Sequence, residues 1–227
     1  MRLGILQCGH TPEGMPTHQS DYDQKFVELL GADAFDYTTW AVIDNLFPPG
    51  VDAADAWLLT GSRYGSYEQL DWIPPLENFI REIYAADIPM VGICFGHQIM
   101  AQALGGRVEK FAGGWSVGRV TYQLNDSPEG GASIMAFHQD QVVELPPDAT
   151  VVGSTDFCRY AALVYGDKAF SLQPHPEFDG EFIAGLVDVR SDVLPEDIKA
   201  TAMASIDEPL SNDVIAARIR NFLKRKS

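Results

Sequence analysis

The sequence is short of cysteine, of positive charge and of long apolar runs, and each shortage narrows what the chain can be. Its three cysteines are Cys8, Cys94 and Cys158. So sparse and odd a set does not make a disulfide framework and fits a reducing compartment. No Cys/His cluster has zinc spacing, and no Gly-x-x-x-x-Gly-Lys phosphate loop is present. Lys and Arg number 16 against 32 Asp and Glu, for a formal charge of −16. A nucleic-acid partner needs a basic surface to replace counterions, so DNA and RNA are not expected partners. The acidity reads as a well-solvated surface. The tail Arg218 to Lys226 is locally basic and reads as a helix C-terminus that complements its own dipole. No run approaches the ~20 apolar residues of a membrane span. The start, Met1 to Gln7, reads as a strand and lacks a signal core with a cleavage site. The expectation is a soluble, cytoplasmic protein with no membrane partner.

What is present suits one α/β domain. The chain has 227 residues, 46% of them hydrophobic, enough for a sizeable core. Short apolar runs alternate with helical patterns. Leu3 to Cys8 reads as a strand. Ser20 could cap a helix through Leu30 that Gly31 ends. Phe35 to Val42 and Ala56 to Thr60 read as further strands. Pro75 to Ala86 reads as a helix with proline at its start, where a missing N–H costs least. Pro89 to Ile93 is a fourth strand, and Phe95 to Leu104 a helix. Strand-helix alternation predicts a mainly parallel sheet with helices on both faces. From Arg107 to Phe178 the texture turns antiparallel or mixed, with Arg119–Leu124 and Ala169–Gln173 as strands after Gly, Asp and Pro turns. The last 49 residues look helical again. Ser211 can cap a helix with Val214, Ile215, Ile219, Phe222 and Leu223 on one stripe. Residues 195–209 are expected to be the most mobile stretch.

The segment Pro89-Met-Val-Gly-Ile-Cys-Phe-Gly-His-Gln98 is the most informative. A strand ends, Cys94 follows, and a helix begins, with Gly92 and Gly96 two residues to either side. This is the cysteine counterpart of the Gly-x-Ser-x-Gly elbow. A nucleophile on so sharp a turn crowds its neighbours at −2 and +2, where glycine has no Cβ to clash. The helix N-terminus favours a thiolate, and the N–H of Phe95 points where an oxyanion would form. Cys8 and Cys158 lack that glycine pair and read as buried structural thiols.

A cysteine nucleophile needs a base, and the base an orienter. His10 and His18 lie in a Gly/Pro-rich loop and read as solvated. His97 is expected to pack or bond locally. His175 stands in Gln173-Pro-His-Pro-Glu177, a strand end with a carboxylate two residues on. On extended backbone, residues i and i+2 share a face, so Glu177 can reach the His175 ring. Glu68 and Glu77 read as surface residues. Sequence distance alone does not join Cys94 to His175.

Together, Gly92 to Gln98 and Gln173 to Glu177 resemble the signature pair of class I glutamine amidotransferase domains. The resemblance covers about residues 1–180. It implies a flavodoxin-like sheet plus a smaller antiparallel one, with residues 181–227 as a helical extension packed on the same domain. It implies Cys94 as nucleophile, His175 as base and Glu177 as orienting carboxylate. The loop Thr60 to Gly65 takes the place of a Gly-rich family loop. Ser62 stands where the family's second oxyanion N–H arises, beside Gly61, although the usual glycine is missing there. Gln98 matches a substrate-holding residue. Trp115, Ser116 and Val117 fall where a family loop meets the glutamate end of the substrate, with simple packing the alternative for Trp115. His138 and Asp140 match a supporting His-x-Asp feature.

The implied chemistry is acyl transfer from glutamine or a γ-glutamyl compound through a thioester, with no metal and no cofactor. Two enzyme readings follow: a glutaminase, resembling that of GMP synthase, that serves a separate synthase subunit, or a stand-alone γ-glutamyl peptidase. The third reading is an idle binding module on the same fold. The intact Cys94, His175 and Glu177 argue against it.

Overall fold

The structure, a computed structural model, describes residues 1–16, 18–125 and 130–225. Lys226 of the basic tail lies outside the described residues. The strands are β1 (Arg2–Leu6), β2 (Asp36–Trp40), β3 (Ala56–Leu59), β4 (Met90–Ile93), β5 (Arg107–Lys110), β6 (Ser116–Leu124), β7 (Gly131–His138), β8 (Asp140–Glu144), β9 (Thr150–Ser154), β10 (Ala162–Tyr165) and β11 (Ala169–Leu172). The helices are α1 (Tyr22–Leu30), α2 (Ile73–Ala85), α3 (Phe95–Ala103), α4 (Gly180–Val189), α5 (Glu196–Ser205) and α6 (Asn212–Lys224).

Nine strands form one sheet in the order β2-β1-β3-β4-β11-β10-β9-β6-β7, and β5 and β8 pair separately. The half from β2 to β11 is parallel. Beyond β11 the sheet continues antiparallel. The expected α/β class and flavodoxin-like parallel sheet are therefore present. Most antiparallel strands extend the central sheet, and the β5–β8 ribbon is the small separate one.

Side-chain alternation sends the parallel strands into two cores. Leu58 and Val91 face one, with Phe26 and Leu30 of α1 and Ile215, Ile219 and Leu223 of α6. Trp57, Leu59 and Met90 face the other, with Leu76, Ile80 and Ile83 of α2 and Ile99 and Met100 of α3. Burying each such aliphatic side chain contributes about 1.5–3 kcal/mol, so α6 is part of the main core. Val214, placed by the sequence on its stripe, is 58% exposed, and Ala216 is buried instead.

Tertiary contacts changed two local expectations. Asp21, not Ser20, caps α1 and accepts the Tyr22 N–H, while the Ser20 hydroxyl turns to Glu28. Ser211 sits at the start of α6 but makes no side-chain cap there. Its hydroxyl accepts the N–H of Ser133 on β7, and its own N–H donates to the Ser133 carbonyl. The stretch 195–209 holds α5, anchored by the fully buried Ala202. Ala202 packs where a Cβ at Gly118 of β6 would come within 2.8 Å of its Cα. Gly118 has φ +93°, so glycine serves there twice, for space and for backbone.

His10 is not simply solvated. Its Nδ1 lies 2.8 Å from Asp21 and its Nε2 3.0 Å from Asp44, tying the loop after β1 to α1 and to the turn after β2. The hydrogen bond to Asp21 is the largest cause of a raised imidazolium pKa. Partial burial opposes it, and Asp44 adds to it. A raised folded pKa gives stability that is full below the unfolded value of about 6.5 and fades as pH rises through the folded value. His10→Asn should therefore lower Tm most near pH 6 and least above pH 8. Thermal melts of both proteins across that range check this. A Tm difference that grows with pH would contradict it.

Candidate active site

The parallel ladder brings the two sequence motifs together. β4 and β11 are neighbours, with Ile93 level with Leu172, and the Cys94 N–H donates to the Leu172 carbonyl at 2.8 Å. Cys94 and the 173–177 segment thus leave the same edge of the sheet from adjacent strands. Cys94 has φ +52° and ψ −102°, strained for a residue with a Cβ, as a nucleophile elbow requires.

The flanking glycines carry that turn. A Cβ at Gly92 would lie 2.5 Å from the Gly96 carbonyl oxygen. One at Gly96 would lie 2.5 Å from the Leu59 carbonyl oxygen and 2.8 Å from its Cβ. Those oxygens are main chain and cannot swing away. Gly96→Val should push α3 off β3 and displace Cys94. Displacements near 1 Å cost about a hundredfold in rate, so a loss of that order in kcat/KM is expected. Circular dichroism and kinetics on one sample separate misfolding from misplacement. A folded, fully active variant would show that Gly96 does not set the geometry.

His175 Nδ1 lies 2.6 Å from Glu177 Oε1, and His175 also hydrogen-bonds the Cys94 side chain. With Nδ1 taken by Glu177, Nε2 is the nitrogen left for sulfur. Burial alone would lower the His175 pKa. The charges of Cys94 and Glu177, and its hydrogen bonds to both, outweigh burial and raise it to about 10. The reach of Glu177 differs in origin from the expected strand alternation. His175 makes a single bridge to Met135, and the Phe178 N–H then donates to the His175 carbonyl at 3.3 Å, closing a turn. The turn, not an extended strand, folds Glu177 back onto the ring.

Phe178 stacks on His175 with centroids 4.1 Å apart and planes 7° from parallel. Gln173 presents Nε2 3.7 Å from Cys94 Sγ and accepts a bond from Gln98 at 3.2 Å. Neither role was legible in the sequence, although both residues stand within or beside the Pro-His-Pro-Glu motif. Gln98 also donates to the Asp140 carbonyl at 2.9 Å.

The loop after β3 closes over the pair. A Cβ at Gly61 would lie 2.9 Å from His175 Cε1 and 3.8 Å from Cys94 Cβ. Thr60 fixes the loop: its hydroxyl accepts the Cys8 N–H at 2.9 Å, and its carbonyl accepts the Gly96 N–H at 3.1 Å. Phe95 opens α3, so its N–H is one of the first-turn donors with no intrahelical acceptor.

A cavity of about 230 Å³ opens over Cys94 and His175. Ser62, Gln98, Trp115, His138 and Asp140 line it, as do Tyr22, Arg63, Tyr67, Glu68, Lys110 and Arg190, which the sequence did not single out as site residues. Trp115 meets Phe137 edge-on at 5.8 Å, so it both packs and faces the cavity. Ser116 and Val117 are not among the lining residues, and Val117 is buried beside Phe178 and Phe182. Burial, joined by the charge of His175, lowers His138 to about 3 and keeps it neutral. Asp140 hydrogen-bonds Tyr67, and burial leaves its carboxyl above the usual range. His97 is buried, and its ring bonds Ser171 of β11 at 2.8 Å, a contact between elements far apart in the chain and not the local bond expected. Glu68 is exposed but lines the cavity rim and accepts the Gly65 N–H at 2.7 Å. Glu77 is only half-exposed and accepts from Gln102 at 2.7 Å, so it joins α2 to α3. Cys8 and Cys158 are buried. Burial pushes both thiols up, Cys158 to about 12. Among the described residues no cluster of His, Cys, Asp or Glu could hold a metal, and no helix is long and apolar enough to cross a membrane.

A cysteine on a strained strand-to-helix turn, facing a histidine held by a carboxylate, is the arrangement of an α/β cysteine hydrolase. The profile described as Glutamine amidotransferase class-I matches residues 53–182, and the chain belongs to that family. A glutamine amidotransferase-like protein of Schizosaccharomyces pombe is 32% identical, covering 97% of this chain and 98% of that one. Gamma-glutamyl peptidase 5 of Arabidopsis thaliana is 29% identical, covering 91% of this chain and 88% of its own length. The crystal structure of a glutamine amidotransferase from Thermotoga maritima superimposes with a TM-score of 0.77 at 20% identity, over 98% of this chain and 97% of that one.

Proposed function

We propose that this protein hydrolyses the γ-carboxamide of glutamine or of a γ-glutamyl amide through a thioester on Cys94. The observation that carries the reading is the Cys94–His175–Glu177 chain of contacts at the mouth of one cavity. Cys94 Sγ attacks the amide carbon as a thiolate, facing a His175 that already carries the proton. The N–H groups of Phe95 and Ser62 receive the oxyanion. His175 returns the proton to the departing nitrogen as the C–N bond breaks, releasing ammonia or an amine. Water, deprotonated by His175, then cleaves the thioester and yields glutamate. Glu177 holds the imidazole in the tautomer that presents Nε2 to sulfur.

Gln98, Trp115 and Asp140 border the half of the cavity assigned to the glutamyl end, and Ser116 and Val117 follow Trp115 just outside its lining. Residues 1–180 carry the chemistry. Residues 181–227 shape the cavity, since Leu186 and Arg190 reach its wall. A separate synthase that receives the ammonia is the rival arrangement. Purified protein given glutamine and a panel of γ-glutamyl amides, with glutamate, ammonia and amine quantified, tests the reading. Turnover by the protein alone favours a stand-alone hydrolase. Turnover of none of the compounds would overturn the reading.

A further inference from the structure

A second cavity runs on from the first. It is lined by Gly9, His10, Glu13, Ile43, Asp192 and Val193 among others. The two cavities share three residues: Pro12, Arg63 and Arg190. Two arginines therefore stand at the junction, in a chain with half as many basic as acidic residues. Among the described residues neither has a carboxylate within ion-pair reach. Arg63 is held by Tyr64, donating to its hydroxyl at 2.7 Å and lying over its ring at 4.8 Å. Arg190 is the C-cap residue that follows α4, and its charge acts on the phenol of Tyr22 against the upward push of burial.

The chemistry sets which end of a substrate meets this junction. The departing nitrogen must lie on the His175 side, because His175 protonates it. His175 stacks on Phe178, and Phe178 meets Tyr22 at 5.9 Å. Tyr22 and Phe178 line the first cavity with Arg63 and Arg190. The leaving group's path thus runs over Tyr22 and Phe178 to the two arginines. Beyond them the second cavity carries Glu13 and Asp192, which repel an anion, and His10, whose charge is taken up by Asp21 and Asp44. An anionic group entering from the active site is favoured at the junction and opposed past it.

Resting on the γ-glutamyl amide hydrolase reading, we propose that Arg63 and Arg190 are specificity residues for a carboxylate on the leaving amine, so that the preferred substrates are γ-glutamyl amino acids and not glutamine. The reaction is otherwise unchanged: the γ-amide C–N bond breaks, the His175 proton goes to the amino acid nitrogen, and water clears the thioester. The carboxylate is a bystander whose charge contributes affinity.

The test compares γ-glutamylglycine with γ-glutamylethylamide, which has an amine of similar size without the carboxylate. The wild type should favour γ-glutamylglycine in kcat/KM by about fivefold to thirtyfold, the scale for two partly exposed charge-assisted pairs. The preference should lie in KM and shrink with salt. The double variant Arg63→Gln/Arg190→Gln should bring the ratio close to one. A wild-type ratio near one, or a ratio that survives the double variant, overturns the proposal. Hydrolysis of neither amide would overturn the underlying reading instead. The junction is then judged by calorimetric binding of both amides to Cys94→Ala protein. Equal affinities overturn it, and a carboxylate-dependent affinity that the double arginine variant loses supports it.

Discussion

Cys94→Ser and Cys94→Ala are expected to abolish turnover, while Cys8→Ser and Cys158→Ser retain most of it. Removing the nucleophile from a hydrolase that works as a unit costs on the order of a millionfold in kcat. The contrast among the three thiols is physical. Cys94 meets the His175 side chain and lines the cavity. Cys8 is sealed, its Sγ 3.4 Å from the Leu6 carbonyl oxygen, and burial pushes its thiol up. Cys158 is sealed in the same way. Buried, protonated thiols are poor nucleophiles. A glutamine-site electrophile such as a diazo-ketone analogue should add one label, mapped to Cys94 by peptide mass. A label on Cys8 or Cys158 would overturn the assignment.

The second large effect separates base from orienter. His175→Ala should leave little activity, because it removes the acid–base group bonded to the Cys94 side chain. Glu177→Gln keeps size and hydrogen bonding but removes one of the two charges that raise the His175 pKa. It should lose about tenfold to a thousandfold in kcat, the span of supporting acid–base groups, and so remain above His175→Ala. The imidazolium pKa should also move down, which the pH profile of kcat/KM reads. If Glu177→Gln equals wild type at neutral pH, the partner is elsewhere. Asp140 is a poor substitute, since its carboxylate is engaged by Tyr67.

The parallel core and the elbow were legible because each rests on local rules. Apolar runs of four or five residues, a glycine on either side of Cys94 and proline at the start of α2 all signal structure from short windows. The caps at Ser20 and Ser211 were misread for the opposite reason. Each hydroxyl found a partner, Glu28 or the Ser133 N–H, that a short window does not foresee. The meeting of Cys94 with His175 was legible only through family resemblance, because it depends on β11 pairing with β4. Arg63 and Arg190 gave no signal at all. Their meaning comes from two cavities sharing a wall, which no spacing in the chain encodes.

That pairing of β4 with β11 has a consequence for how the machinery fails. Nucleophile and base leave adjacent strands at the middle of a nine-stranded sheet, with four strands on the far side of β11 and three on the far side of β4. A central ladder opens only with the cooperative transition of the whole molecule, whereas rims and loops open on their own. Loosening the 60–65 loop or the ends of α5 and α6 can therefore dull substrate capture or the oxyanion contact while the thiol and imidazole stay in register. The strand ends that carry the reacting pair are therefore expected to hold until global unfolding.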